Sequence, residues 1–161
     1  MSTVRALLAA GLLFPGMVCA QSPPSLLDAY GRTVALLNFM TTYVAESLLA
    51  CEEKNALAKG QAEARFKAYR ERNAALLERA EAWRQEAEKR LRSGGEERAA
   101  QERADEAGMG ATAAGLARVQ AEMEQVRDVR ALCAGKAAGI ESGRYDLSLN
   151  VELVKLLKAN P

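Results

Sequence analysis

The chain has 161 residues, with 22 Lys and Arg against 21 Asp and Glu and a formal net charge of +1. This near-balance argues against nucleic-acid binding and against strong binding to anionic lipid, since both depend on a surplus of positive charge. Histidine is absent from the whole sequence. The commonest general base and the commonest nitrogen ligand of metals are therefore missing, which excludes Ser-His and Cys-His nucleophile pairs and histidine-based zinc or haem sites.

The first 20 residues have the features of a removable export signal. Arg5 provides the positive n-region, residues 6–14 form a short apolar h-region, and Ala20 ends a run of small side chains at the expected cleavage site. Cleavage there leaves residues 21–161, a length suited to one domain. A lipoprotein signal acylated at Cys19 is the alternative. No later stretch approaches about 20 consecutive apolar residues, so we expect a periplasmic or secreted protein without an integral membrane segment.

Export also predicts a disulfide bond. Removing the signal removes Cys19 and leaves Cys51 and Cys133, an even number of cysteines in an oxidising compartment. Two distant cysteines without histidine cannot complete a tetrahedral zinc site, and there is no C-x-x-C motif for redox chemistry. We therefore predict a structural Cys51–Cys133 disulfide, no metal and no cofactor.

Apolar residues of the mature chain recur with the periodicity of a helix. Ser25 and Asp28 resemble a capping box that starts a first helix. Its apolar stripe continues to Cys51, and Gly60 is the expected C-terminal cap. The stripe is unusually apolar over residues 34–49, which predicts a helix packed between other helices. An aromatic groove for a ligand is the alternative interpretation of the same stripe.

A second helix is predicted for residues 61–92. Its seam has heptad spacing, which calls for a partner helix at a small crossing angle. The opposite faces are charged, with expected i,i+4 pairs between Glu and Lys or Arg. The seam residues are Phe66, Tyr69, Asn73, Leu76, Ala80, Trp83 and Ala87, and the expected pairs are Glu63–Lys67, Glu86–Arg90 and Glu88–Arg92.

A third helical arm is predicted after a turn at residues 93–95, extending to Ser142. Three glycines, Gly108, Gly110 and Gly115, each cost about 1 kcal/mol in a helix interior. We therefore expect a break or a bend near residues 108–110, and a flexible charged connection over residues 93–110. A short amphipathic helix is predicted at the C-terminus, over residues 150–158.

Together these elements predict an all-α fold, an antiparallel bundle of three long helices plus a short C-terminal helix. In an up-down-up arrangement the first and third helices run in the same direction. Cys51 lies nine residues before Gly60, and Cys133 lies nine residues before Ser142. Both cysteines are therefore expected at one end of the bundle, where they can pair.

These features favour a non-enzymatic periplasmic interaction protein, an adaptor or chaperone-like module. We expect partner contacts on the charged second helix with its tip at residues 93–106, and on the C-terminal segment of residues 145–157. The candidate surface residues are Arg84, Glu88, Arg92, Tyr145 and Leu149. One alternative is an inhibitor or immunity protein that blocks a secreted toxic hydrolase. Another is a carrier of a small apolar ligand, held between Met40, Tyr43, Phe66 and Trp83.

Overall fold

The computed structural model describes residues 24–159, and all regular secondary structure within that range is helical. The predicted all-α class is confirmed. The expected export signal, including Cys19, lies outside the described residues. The elements are α1 (Leu26–Glu53), α2 (Gln61–Arg72), α3 (Ala74–Ser93), α4 (Glu97–Gln125), α5 (Val129–Glu141), a 3-10 turn (Leu147–Leu149) and α6 (Val151–Lys158).

Of the two predictions for the ends of α1, one is confirmed and the other is wrong. At its start, the Ser25 hydroxyl accepts a hydrogen bond from the Asp28 backbone N–H at 3.1 Å and donates to the Asp28 carboxylate at 2.8 Å. The predicted cap is thus confirmed. The helix ends at Glu53, so the expectation that it continues to Gly60 is wrong. Gly60, with φ of +82°, is instead the N-cap of α2.

A carboxylate from α1 caps α2. Glu52 accepts hydrogen bonds from the backbone N–H groups of Gly60 and Ala62, both at 2.9 Å. These two backbone bonds hold the pKa of the Glu52 carboxyl below its usual value. A side chain of the preceding helix therefore stabilises the reversal of the chain at this point. Local sequence patterns do not reveal such a contact.

The second arm is divided at Asn73. The buried Asn73 amide donates to the Tyr69 carbonyl at 2.8 Å, and its oxygen accepts from the Leu147 backbone N–H at 2.8 Å. An Asn side chain that bonds to backbone in this way competes with the helix ladder. The single helix expected over residues 61–92 is therefore two helices, α2 and α3, and this polar residue fastens the second arm to the 3-10 turn.

The third arm breaks elsewhere than expected. α4 runs without interruption through residues 97–125, so the break predicted near residues 108–110 is wrong. Gly108 and Gly115 face α1, where an added Cβ would lie 3.2 Å from the Asn38 amide nitrogen and 3.2 Å from the Thr42 side chain. Close packing of α4 on α1 uses the small size of these glycines and offsets their helix cost.

The chain leaves α4 at Val126, which has extended backbone angles. Asp128 then caps α5, accepting a hydrogen bond from the Ala131 backbone N–H at 3.0 Å. The third arm is therefore α4 followed by α5. With both later arms divided in this way, the expected three long helices are not confirmed.

The helix directions follow from the contacts of α1. Glu52 caps the start of α2 and Tyr30 bonds to Glu88 of α3, so the second arm runs antiparallel to α1. α4 runs parallel to α1, as the Gly108–Asn38 and Gly115–Thr42 approaches show. The core lies between these helices and α6. The largest apolar side chains that it buries fully are Val44, Leu48, Tyr69, Leu147 and Leu153.

The predicted disulfide is confirmed in its pairing. Cys51 on α1 and Cys133 on α5 are bonded across a sequence separation of 82 residues. A cross-link that closes a loop of this size contributes about 4–5 kcal/mol in chain-entropy models. It also ties α5 to α1.

Within residues 24–159, α1 alone is long and apolar enough to cross a membrane, judged by length and composition. A helix in the core of a soluble protein meets the same criterion. In this structure α1 contacts all five of the other α-helices, and its Thr33 and Ser47 side chains are buried.

Candidate functional site

A lysine is buried where α1, α4 and α5 meet. The Lys136 side chain is only 5% exposed. Its ammonium donates to the Glu122 carboxylate at 2.5 Å, to the Tyr43 hydroxyl at 2.6 Å and to the Ser47 hydroxyl at 3.2 Å. Three acceptors match the three hydrogens of an ammonium group. The buried charge is thus fully hydrogen-bonded.

Helical spacing places this network beside the disulfide. Tyr43, Ser47 and Cys51 follow one another at intervals of four along α1 and therefore share one face. On α5, Cys133 and Lys136 are three residues apart. The covalent bond and the ammonium consequently join the same two helices within one helical turn. We call these five residues together with Glu122 the α5 clasp.

Glu122 links the α5 clasp to α4. Its carboxylate accepts from the Tyr43 hydroxyl at 2.9 Å and from the Arg118 Nε at 2.5 Å, in addition to Lys136. Burial raises the pKa of this carboxyl. The hydrogen bonds from Lys136 and Tyr43 outweigh burial, so the pKa lies below its usual value. At neutral pH the network therefore contains an ionised carboxylate.

Three aromatic rings lie in a row next to the clasp. The Tyr43 ring centroid is 6.1 Å from that of Phe39 and 6.0 Å from that of Tyr145. Gly139 on α5 makes room for Tyr145, because an added Cβ would lie 2.8 Å from its ring. Burial, followed by the bond to Glu122, raises the pKa of Tyr43 to about 12. Burial also raises the pKa of Tyr145.

A cleft of about 500 Å³ opens above the clasp. Three cations and one carboxylate line it, so its local charge is positive. Arg144 is exposed and forms no ion pair with any residue in 24–159, and Arg118 uses only its Nε. We call this the Tyr–Arg cleft; its lining residues are Tyr43, Arg118, Glu122, Ala131, Leu132, Gly135, Lys136, Arg144 and Tyr145.

Ser47 and Lys136 lie within hydrogen-bond distance, as in Ser–Lys nucleophile pairs. Two features oppose that chemistry in this structure. Ser47 is 1% exposed, so a substrate cannot reach its hydroxyl. The Lys136 ammonium directs all three N–H groups at acceptors, one of them an ionised carboxylate, and so has no lone pair to act as a base. The groups that remain for a ligand are guanidinium groups and ring faces.

The predicted partner surface on α3 turns partly inward. Glu88 accepts hydrogen bonds from Tyr30 of α1, at 2.5 Å, and from Arg84. Arg84 also pairs with Glu81 at 2.7 Å. Arg92 is exposed and pairs with Glu97. The predicted Glu88–Arg92 pair is therefore replaced by other partners, because Tyr30 draws Glu88 toward α1.

The other two candidate surface residues lie in a different region. Tyr145 packs beside Tyr43, and Leu149 is 62% exposed on the 3-10 turn. Tyr30 and Tyr43 are 13 residues apart on α1, a distance of about 20 Å along a helix. The structure therefore separates Tyr145 from Arg84 and Glu88 and does not bring the predicted residues into one surface.

Two further predictions concern ion pairs on α2 and α3 and a binding site for an apolar ligand. The Glu86–Arg90 pair is present at 3.1 Å, whereas Lys67 pairs with Glu71 and not with Glu63. Of the four residues considered for an apolar carrier, Met40, Tyr43 and Phe66 pack against the hydrophobic core and Trp83 belongs to it. Trp83 is buried in the core and donates to the Ala159 carbonyl at 3.0 Å. Phe66 also lines a groove on α2 and α3, and Tyr43 is not part of that groove.

Lys136 and Glu122 were not predicted from the sequence as functional residues. One signal was present: Lys136 falls on the same helical face as Cys133 and Ile140, where a charge is unexpected. Its partners could not be identified, because Glu122 and Ser47 belong to other helices and their registers are fixed only by packing.

Within residues 24–159 there is no group of three or more Cys, Asp or Glu side chains that could hold a metal ion. Comparisons of the chain with protein families, with curated proteins and with solved structures find no match.

Proposed function

We propose that this chain is an exported, non-enzymatic protein-binding module and that the Tyr–Arg cleft is its binding surface. One observation carries the proposal: the rings and guanidinium groups of the cleft stand on a base fixed by a disulfide and a buried ion pair. Tyr and Arg dominate the energetics of protein interfaces. A surface that is already ordered loses less entropy when it binds.

The same rigidity favours an adaptor over a general chaperone. Proteins that bind many clients use flexible, Met-rich or loop-rich surfaces that can repack. Here most of the cleft lining lies on α1, α4 and α5, with Arg144 and Tyr145 on the turn after α5, and Lys136 and Glu122 fix its floor. A partner of one defined shape is therefore expected. An inhibitor of a secreted hydrolase is the alternative, and it also requires one defined partner.

Site-specific photo-crosslinking tests the proposal. A photoreactive residue replaces Leu132, which lines the cleft, or Arg70, which lies on α2. In producing cells we expect one discrete protein adduct from position 132 and none from position 70. Equal adducts from both positions, or none from position 132, would contradict the assignment of the cleft.

Filling the cleft provides the matched control. Gly135 and Gly110 are both helical glycines with open space where a Cβ would stand, but only Gly135 lines the cleft. Gly135→Trp should abolish the adduct, and Gly110→Trp should leave it unchanged. If the identified partner is a hydrolase that loses activity on binding, the inhibitor alternative replaces the adaptor.

Export is tested by the mass of the protein recovered from the periplasm or the medium. We propose a mature chain that begins at Gln21, with no free thiol. An acylated chain beginning at Cys19 would support the lipoprotein alternative. A full-length chain that retains residues 1–20 would contradict removal of the signal.

A further inference from the structure

We infer that the Tyr–Arg cleft recognises the C-terminal carboxylate of a partner protein whose last side chain is apolar. This inference rests on the proposed binding function and gives its ligand a chemical class. The inference depends on the charge of the cleft lining, to which Glu122 contributes, and on the row of aromatic rings beside the cleft.

Two guanidinium groups are free to take an oxyanion. Glu122 occupies the Lys136 ammonium and the Nε of Arg118, which leaves the outer N–H groups of Arg118 unused. Among the described residues no side chain or carbonyl accepts a hydrogen bond from Arg144. Guanidinium groups bind carboxylates through two parallel N–H···O bonds. The cleft therefore presents unused donors of the kind that a carboxylate needs.

Glu122 reduces the positive charge of the cleft but does not reverse it. It is ionised and offsets one of the three cations that line the cleft, so the lining stays positive and attracts anions. Coulomb attraction alone draws a dianionic phosphate at least as strongly as a carboxylate with a single charge. The apolar group beside the carboxylate therefore distinguishes the two ligands, because inorganic phosphate has no such group.

The walls of the cleft supply the apolar contact. Tyr43 and Tyr145 stand on one side, with Phe39 stacked behind Tyr43. Ala131 and Leu132 line the cleft from α5. The raised pKa values of both tyrosines keep the rings uncharged at neutral pH. An apolar group next to the carboxylate can therefore contact rings while its acid reaches the arginines.

The test titrates N-acetylphenylalanine into the mature, disulfide-bonded protein and follows backbone amide shifts by NMR. Its amide, N-acetylphenylalaninamide, has the same shape without the charge. Acetate has the charge without the ring, and inorganic phosphate is the dianion. We expect saturable shifts at cleft residues with the acid. Loss of the charge-assisted contact should weaken binding of the amide about tenfold. Loss of the apolar contact should weaken binding of acetate and phosphate by about the same factor.

Two matched pairs of variants locate the binding. Arg144→Gln should weaken the acid about tenfold, whereas Arg130→Gln, an exposed arginine of α5 outside the cleft lining, should not. Gly135→Glu places a competing carboxylate in the cleft and should abolish binding. Gly135→Gln has nearly the same size without charge and should retain most of it. Because these side chains are exposed or face open space, the variants should fold.

Equal binding of the acid and its amide, phosphate binding as tight as that of the acid, or equal effects of Arg144→Gln and Arg130→Gln would overturn the inference. Failure of the proposed function looks different. If the acid binds as expected but position 132 forms no protein adduct, the chemistry of the cleft stands and the binding function falls. If the adduct forms but the acid does not bind, the ligand class is wrong.

Discussion

Two tyrosine–carboxylate pairs tie α1 to the rest of the bundle, and they differ in the cation that accompanies them. Tyr43 donates to Glu122 at 2.9 Å, and Tyr30 donates to Glu88 at 2.5 Å. Burial and then the carboxylate raise the pKa of both phenols to about 12. In the α5 clasp the cation is Lys136, which comes from a third helix. In the α3 pair, as we call the Tyr30–Glu88 contact, the cation is Arg84 of α3 itself.

The contribution of each cation to the free energy of unfolding depends on its burial and on the number of helices that it joins. The Lys136 side chain is 5% exposed, whereas that of Arg84 is 35% exposed. Removing one partner of a buried ion pair costs about 3–5 kcal/mol. An ion pair in contact with water contributes about 0–1 kcal/mol. Similar local chemistry should therefore have unequal effects on the free energy of unfolding.

The largest expected effect comes from the covalent part of the clasp. Replacing Cys51 and Cys133 together by serine should lower the free energy of unfolding by about 4 kcal/mol, because the unfolded chain regains the freedom of a long loop. Denaturant titration measures this change. Far-UV circular dichroism in the absence of denaturant should stay nearly the same. A loss below about 1 kcal/mol would show that the α5 clasp holds without its disulfide.

The next effect compares the two cations directly. Lys136→Met should lower the free energy of unfolding by about 3 kcal/mol, since it leaves the Glu122 carboxylate without its buried partner. Arg84→Met should lower it by less than about 1 kcal/mol. Both are measured by urea denaturation of the oxidised protein. Equal losses in the two variants would contradict the role that we assign to burial.

A smaller effect is expected for the two phenols. Tyr43→Phe removes a group that accepts from Lys136 and donates to Glu122, and should lower the free energy of unfolding by about 2 kcal/mol. Tyr30→Phe removes a single hydrogen bond and should lower it by about 1 kcal/mol. Thermal unfolding of each variant, compared with that of the unsubstituted protein, ranks the two losses of stability. The reverse order would mean that the α3 pair is the stronger attachment.

How much of this could be read from the sequence depends on whether a feature is local. Adjacent residues specify the cap at Ser25, the turn at Gly95 and the end of α5 at Ser142, and all three were predicted. The same holds for the start of α6, where Asn150 accepts from the Leu153 backbone N–H. Each of these signals lies within about four residues of the structure that it specifies.

The features that were missed depend on contacts between distant segments. Gly108 resembles a helix breaker in the sequence, but in the structure it admits the Asn38 side chain. Asn73 resembles a tolerated seam residue, but it bonds to the 3-10 turn and divides the arm. The floor of the Tyr–Arg cleft joins Lys136 to Glu122, 14 positions away on a different helix. Of the predicted surface residues, only Tyr145 lines that cleft.

The smallest effect at neutral pH concerns the titration of the tyrosines. The pKa values of Tyr30, Tyr43 and Tyr69 are raised from 10.0 to about 12. A raised folded pKa gives stability that is fully present below the unfolded value and is lost as the pH rises to the folded value. We therefore expect stability to fall between about pH 10 and pH 12, with tyrosinate absorbance appearing together with loss of helicity.

Burial is the largest cause of the raised tyrosine pKa in both the α5 clasp and the α3 pair. Tyr43→Phe and Tyr30→Phe should therefore each remove one tyrosinate from the cooperative alkaline step, in spite of their unequal cations. Absorbance during a pH titration counts the tyrosinates. If one phenol ionised near pH 10 while the helices were intact, that pair would be open to water, and its share in holding α1 would be smaller than its geometry indicates.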